Sequence, residues 1–145
     1  MTDSPILTLT LNPALDIATR LDRVVTGEKL RCGEPLYDPG GGGLNVSRAI
    51  HRLGGQSLAL VALGGFTGDL LAGLLRQEGM LFLSLKSPGE TRQSLTVTEN
   101  STGQQYRFLL PGPDWGKDDQ AQVFTLLNAT ARPGGIAVIS GSQPP

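Results

Sequence analysis

Several kinds of residue are scarce in this sequence, and each scarcity removes a class of protein. The 145 residues contain one cysteine, Cys32, and one histidine, His51. A single cysteine cannot form an internal disulfide, and these two side chains alone cannot complete a four-ligand structural zinc site. The chain has no run of about eighteen apolar residues, and its N-terminal segment lacks the basic and apolar regions of a signal peptide. We therefore expect a cytoplasmic protein.

An excess of charge of one sign is also missing. Twelve basic and thirteen acidic side chains give a formal net charge of −1. Without an overall positive field, the chain is not expected to bind nucleic acid or an anionic membrane. A bound anion must therefore be held by a local arrangement of residues.

Glycine and proline, in contrast, are abundant. The chain has 20 Gly and 10 Pro, without the period of collagen or of a low-complexity repeat. Its 39% hydrophobic content is adequate for a globular domain. We therefore expect a globular protein with many tight turns.

The hydrophobic pattern alternates strands with helices over most of the chain. Short apolar runs bounded by turn residues predict strands, and apolar residues at helical spacing predict helices that end at glycine or proline. In chain order the pattern predicts a strand over 5–11, a helix over 44–53, a strand over 57–63, a helix over 69–78, a strand over 80–85, a helix over 118–131 and a strand over 136–140. Helices between buried strands predict an α/β fold with a parallel sheet.

Two segments, 15–38 and 91–110, break this alternation. Polar and apolar residues alternate in them around glycine-containing turns, which predicts antiparallel strands, with a hairpin over 93–108. Two short strand pairs bury little surface alone. The predicted second sheet must therefore rest on the main domain or on another chain.

The strongest chemical pattern is the run of four glycines at 40–43, directly before a predicted helix. Glycine lets the backbone approach a ligand closely, and the start of a helix presents unpaired N–H groups. The run matches neither a Walker A loop nor a dinucleotide-binding fingerprint. It indicates a loop that binds a polar or anionic ligand, and a hinge or a tight turn is the alternative.

A series of motifs follows one another along nearly the whole chain. They are TLTLNPALD at 8–16, GEKLRC at 27–32, PGGGGLNVSRAI at 39–50, LGG at 53–55, GGFTG at 64–68, TRQ at 91–93, QYRF at 105–108 and ISGSQPP at 139–145. Together they resemble the ribokinase-like (PfkB) carbohydrate kinases, and within that family the branch that phosphorylates hexose phosphates.

The resemblance implies a ribokinase-like fold, in which a partly parallel sheet with flanking helices carries a small antiparallel β lid. On this sequence the α/β domain would comprise 1–14, 39–90 and 111–145, and the lid 15–38 and 91–110. The family's catalytic aspartate lies in a Gly-Ala-Gly-Asp segment, which does not occur here, nor does its Asn-x-x-Glu element. We therefore expect the N-terminal, substrate-binding and lid portion of a longer kinase, truncated relative to the family, with no catalytic or metal-binding residue and inactive alone.

The resemblance also implies a set of substrate-binding residues. An aspartate that accepts hydrogen bonds from sugar hydroxyls, a loop beneath the sugar phosphate, two phosphate-facing cations and a substrate-contacting serine are expected. On this sequence they are Asp16, the loop residues Gly41, Gly42 and Asn45, the cations Arg92 and Lys29, and Ser142. Gln143 stands where the family more often has leucine.

For the full-length enzyme the resemblance implies ATP-dependent, Mg²⁺-dependent conversion of fructose 6-phosphate to fructose 1,6-bisphosphate. Activity as a 1-phosphofructokinase or a tagatose-6-phosphate kinase remains an alternative, and so does a non-catalytic sugar-phosphate-binding or dimerisation module. ATP and Mg²⁺ are not expected to bind this chain tightly. A homodimer formed through the β lid is also expected, without nucleic-acid or membrane partners.

Overall fold

The computed structural model describes residues 6–144, which form two four-stranded sheets and three helices. In chain order the elements are β1 (Ile6–Thr10), β2 (Ala14–Leu21), β3 (Leu36–Gly40), α1 (Gly42–Arg52), β4 (Ser57–Leu63), α2 (Gly65–Gln77), β5 (Phe82–Lys86), β6 (Arg92–Glu99), β7 (Gln105–Leu109), α3 (Lys117–Thr130) and β8 (Ile136–Ile139). Pro5, where the first predicted strand begins, and Pro145, where the last motif ends, lie outside the described residues.

The main sheet has the strand order β5-β4-β1-β8, and all its pairings are parallel. The predicted parallel sheet is therefore confirmed, and β4 has the predicted bounds. Helix α2 begins four residues before the predicted start at residue 69, at Gly65. Its first turn is held from outside the helix, because the Thr67 N–H donates to Glu90 Oε1 at 2.6 Å. Local periodicity does not reveal such a contact.

The core lies on both faces of the main sheet, because successive side chains of a strand point to opposite sides. On β4, Leu60 and Ala62 pack with Val123 of α3, whereas Ala59 and Val61 pack with side chains of α1 and α2. The central strands are thus buried on both faces, as is typical of a parallel sheet covered by crossover helices.

The second sheet has the order β3-β2-β6-β7. Its outer pairings, β2 with β3 and β6 with β7, are antiparallel as predicted, but the central pairing of β2 with β6 is parallel. The predicted antiparallel strand pairs are therefore confirmed, but the sheet that they form together is mixed. The reason is topological: β2 follows β1 and β6 follows β5, so both leave the carboxyl edge of the main sheet in the same direction.

The two sheets meet at this carboxyl edge. Strand β3 returns there at Gly40, immediately before α1, while Ala14 and Arg92 pair at the bases of β2 and β6. Ligands of open α/β sheets gather at the carboxyl ends of the strands. We call this junction the seam. None of the helices within residues 6–144 combines the length and the apolar character that a membrane crossing needs.

Candidate functional site

The glycine run packs against the ends of two main-sheet strands at the seam. The Gly43 N–H donates to the Ser140 carbonyl at 2.9 Å, and a Cβ on Gly42 would lie 2.5 Å from the Gly141 nitrogen. Gly41 has φ 136°, a conformation that side-chain-bearing residues rarely adopt. The loop therefore lies closer to β1 and β8 than any other residue type would allow.

Helix α1 starts at this loop without a capping side chain from the described residues. The Asn45 N–H donates to the Gly41 carbonyl at 2.8 Å, and the Asn45 side chain is exposed. The start of a helix carries a partial positive charge and unpaired N–H groups. This end of α1 thus offers donors and a side-chain amide beside the seam.

Asp16 occupies the face of the second sheet that looks onto the same seam. It stands opposite Asp38 on β3 and Ser94 on β6, and a Cβ on Gly40 would overlap its carboxylate. Burial and, secondarily, the Asp38 carboxylate raise the pKa of Asp16, whereas Arg92, the Ser94 hydroxyl and Arg107 act in the opposite direction. The space for this half-buried carboxylate depends on the missing side chain of Gly40.

Arg92 opens β6 on the same face as Asp16, two residues away in register. Its side chain is half-buried, and its Nε donates to the Asn12 carbonyl at 3.2 Å. Its two terminal nitrogens make no hydrogen bond or ion pair within residues 6–144. The planar end of the guanidinium is therefore free to bind an anion in a bidentate manner.

Asn12 has no role predicted from the sequence, although it lies at the centre of this region. It is 9% exposed, and its Nδ2 donates to Ser142 Oγ at 3.0 Å and to the Gln143 carbonyl at 3.4 Å. The feature of the sequence that could have pointed to Asn12 is its position between a buried strand and Pro13. A buried amide at a strand end commonly has hydrogen-bond partners.

Arg48 is a second residue without an assigned role. It is 6% exposed in α1, and its guanidinium donates to both carboxylate oxygens of Asp38, to both of Glu78 and to the Pro39 carbonyl, at 2.6 to 2.9 Å. Hydrogen bonds to Asp38 and Glu78 raise the pKa of Arg48 further. Arg48 thus anchors the end of β3, just before the glycine run, to α1 and to the end of α2.

Six of the seven predicted substrate-binding residues lie along the seam. They are Asp16 on β2, Gly41, Gly42 and Asn45 at the start of α1, Arg92 on β6 and Ser142 after β8. Lys29 does not join them: it is exposed in the connection 22–35, and no hydrogen bond or ion pair links it to the others within the described residues. The roles of all seven residues stay predictions.

Comparisons with known proteins place this geometry in a family. The family model "pfkB family carbohydrate kinase" matches residues 9–144. The chain is 51% identical over 140 residues to the ATP-dependent 6-phosphofructokinase isozyme 2 of Mycobacterium tuberculosis, covering 97% of this chain and 41% of the relative. It is 33% identical over 138 residues to the 1-phosphofructokinase of Xanthomonas campestris, covering 95% of this chain and 43% of the relative.

A solved structure gives the same result. The crystal structure of Escherichia coli phosphofructokinase-2 in complex with fructose-6-phosphate matches with a TM-score of 0.91 and 42% identity, covering 98% of this chain and 46% of that chain. The chain thus spans under half the length of the relatives it matches. The predicted ribokinase-like α/β fold is confirmed, and the chain belongs to the pfkB family of carbohydrate kinases.

Proposed function

We propose that this chain is the sugar-phosphate-binding and lid part of an ATP-dependent 6-phosphofructokinase, which converts fructose 6-phosphate to fructose 1,6-bisphosphate. One observation carries the proposal: the carboxylate of Asp16 and the unengaged end of Arg92 share one face of the seam, beside the glycine loop. A carboxylate that accepts hydrogen bonds from hydroxyls and a guanidinium that binds a phosphate in a bidentate manner suit a sugar phosphate. The Escherichia coli relative was crystallised with fructose 6-phosphate.

In the proposed complex, each group acts by binding and orienting the sugar phosphate. Asp16 accepts hydrogen bonds from hydroxyls, and Arg92 binds the phosphate through its terminal nitrogens. The exposed amide of Asn45 and the Ser142 hydroxyl bind further oxygens. Holding the acceptor hydroxyl in one orientation lowers the entropic part of the barrier to phosphoryl transfer.

The other reactants of the proposed reaction are ATP and Mg²⁺, which supply the phosphoryl group and stabilise its charge. Residues 6–144 contain no group of three or more His, Cys, Asp or Glu side chains that could hold a metal ion. The chain alone is expected to bind the sugar phosphate and to show no ATP turnover, and turnover by highly purified chain would contradict this.

Titration calorimetry with fructose 6-phosphate tests the proposal. Arg92→Ala is expected to weaken binding about 10- to 150-fold, as the loss of a charged hydrogen-bonding group would. Arg20→Ala, an exposed arginine further along β2, is the matched control and should bind as the wild type does. Equal affinities of wild type and Arg92→Ala would exclude Arg92 from the site.

The same titration separates the alternatives within the family. A 33% identical relative is a 1-phosphofructokinase, so fructose 1-phosphate and tagatose 6-phosphate are titrated beside fructose 6-phosphate. The proposal expects the tightest binding for fructose 6-phosphate. Tighter binding of either competitor would reassign the substrate, and no binding of any sugar phosphate would contradict the proposed function.

The reverse face of the second sheet supports a homodimer through the lid. Tyr37, Ile17, Leu95 and Phe108 stand in register across all four strands, and both end residues of this apolar row are exposed. In such a dimer, the exposed Lys29 would approach the phosphate of the neighbouring subunit. Phe108→Glu should sediment as a monomer, whereas Gln105→Glu on the same strand should remain dimeric. A monomeric wild type at micromolar concentration would contradict the dimer.

A further inference from the structure

We propose that Asn12 is a positioning residue that couples Arg92 to Ser142, and that it fixes which atoms these two residues present to the ligand. The inference rests on the proposed function, because it concerns the same site. Asn12 stands between β1 and β2, directly before Pro13, and its side chain reaches the segment that follows β8. It thus contacts residues from two other parts of the chain.

The amide of Asn12 has a defined orientation. Its nitrogen faces the Gln143 carbonyl at 3.4 Å, and a carbonyl only accepts hydrogen bonds, so the donor end of the amide must point there. The amide oxygen lies against Gly112, where a Cβ would overlap it. The residue before a proline is also restricted to extended backbone conformations. Backbone and side chain of Asn12 are therefore both constrained.

This orientation determines how Ser142 can act. The Ser142 oxygen accepts the Asn12 N–H at 3.0 Å, which leaves the hydroxyl hydrogen free. Because Ser142 is exposed, an unanchored hydroxyl would rotate and could either donate or accept. With Asn12 in place, one lone pair of the Ser142 oxygen is used and the hydroxyl hydrogen points away from Asn12, where it can donate to an oxygen of the ligand.

The backbone of Asn12 has the corresponding effect on Arg92. Its carbonyl accepts the Arg92 Nε–H at 3.2 Å, so the edge of the guanidinium that contains Nε is already used. The two terminal nitrogens remain as the edge that binds an anion. The backbone carbonyl and the side-chain amide of one residue thus orient a guanidinium and a hydroxyl from separate segments toward one site.

A double-mutant cycle tests the coupling. Asn12→Ala and Ser142→Ala are each expected to weaken fructose 6-phosphate binding about 3- to 10-fold, in line with the loss of one hydrogen bond. The double variant should be no weaker than the weaker single variant, because both changes remove the same donor. Weakening by the product of the two single effects would overturn the proposal. Asn128→Ala, exposed on α3, is the control for an asparagine substitution and should leave binding unchanged.

A second measurement needs neither ligand nor an altered Asn12. In the ligand-free chain, the side-chain NH₂ signals of Asn12 in a ¹⁵N spectrum should shift and exchange faster with water when Ser142 is replaced by alanine. Unchanged Asn12 signals would overturn the coupling even if fructose 6-phosphate binds. If the wild type binds no sugar phosphate, the proposed function fails, and these amide signals alone decide whether Asn12 holds Ser142.

Discussion

The two sheets of this molecule share one junction but differ in how they are covered. In the main sheet, β4 has four consecutive buried residues, because helices pack on both faces. In the second sheet, four of the five residues of β7 are exposed, and β3 is buried only at its end near the seam. Burial of apolar area is the main source of folding free energy. The covered centre of the main sheet therefore contributes most to stability, whereas the exposed outer strands of the second sheet present a surface.

Two arginines at the seam also differ, in how many of their guanidinium donors are used within the chain. Arg48, which anchors β3 to the helices of the main domain, uses every donor of its guanidinium within the chain. Arg92, on the second sheet, uses only Nε among the described residues. A cation with all donors satisfied holds a structure in place, whereas one with free donors is available to a ligand.

The sharpest test of the comparison replaces one leucine in each sheet. Leu60→Ala in β4, at a fully buried position, should lower the free energy of unfolding by about 3 to 5 kcal/mol, because it removes transfer free energy and leaves a cavity. Leu109→Ala in β7, where the leucine is 62% exposed, should change it by less than about 0.5 kcal/mol. Urea unfolding measures both. Similar losses would mean that β7 contributes to the core as β4 does.

A smaller effect is expected from the anchor between the two sheets. Arg48→Met keeps an unbranched side chain but leaves Asp38 and Glu78 without their cation. The free energy of unfolding should fall by about 2 to 3 kcal/mol, less than the value of about 3 to 5 for a fully buried pair, because the Asp38 side chain is 61% exposed. Arg52→Met, exposed on the same helix, is the control. Equal stability of the two variants would show that Arg48 does not hold the seam together.

The same contrast explains how far the sequence could predict the fold. The buried strands and helices of the main sheet were predicted because their patterns are local, and the bounds of β4 are those predicted. The parallel pairing of β2 with β6 was missed because it depends on where each strand leaves the main sheet. The early start of α2 was missed because Glu90, far along the chain, stabilises it.

The candidate site shows a similar limit. The close approach of Gly41 and Gly42 to the strand ends could be predicted from the glycine run, since successive glycines before a helix let the backbone pack closely. The contacts of Asn12 and Arg48 could not, because their partners come from other elements, 9 to 30 residues away for Arg48 and 130 or 131 residues away for the Asn12 side chain. Hydrophobic periodicity and turn residues are local patterns, and they do not identify contacts between separate elements.

The smallest expected effect concerns Asp16, a charge that the second sheet holds half-buried at the seam. Burial and the nearby Asp38 raise its pKa above 3.8, so the folded chain binds this proton more tightly than the unfolded chain does. Wild type should therefore lose stability relative to Asp16→Asn as the pH rises from 3.8 through the raised pKa, with a constant deficit above it.

Urea unfolding at several pH values measures the difference, and Asp69→Asn, exposed on α2, controls for the loss of one charge. If the difference in unfolding free energy between wild type and Asp16→Asn were independent of pH, burial at the seam would not destabilise the charged form of Asp16. A stability cost that disappears on substitution, together with the loss of fructose 6-phosphate binding, would identify Asp16 as a residue retained for ligand binding at the expense of stability.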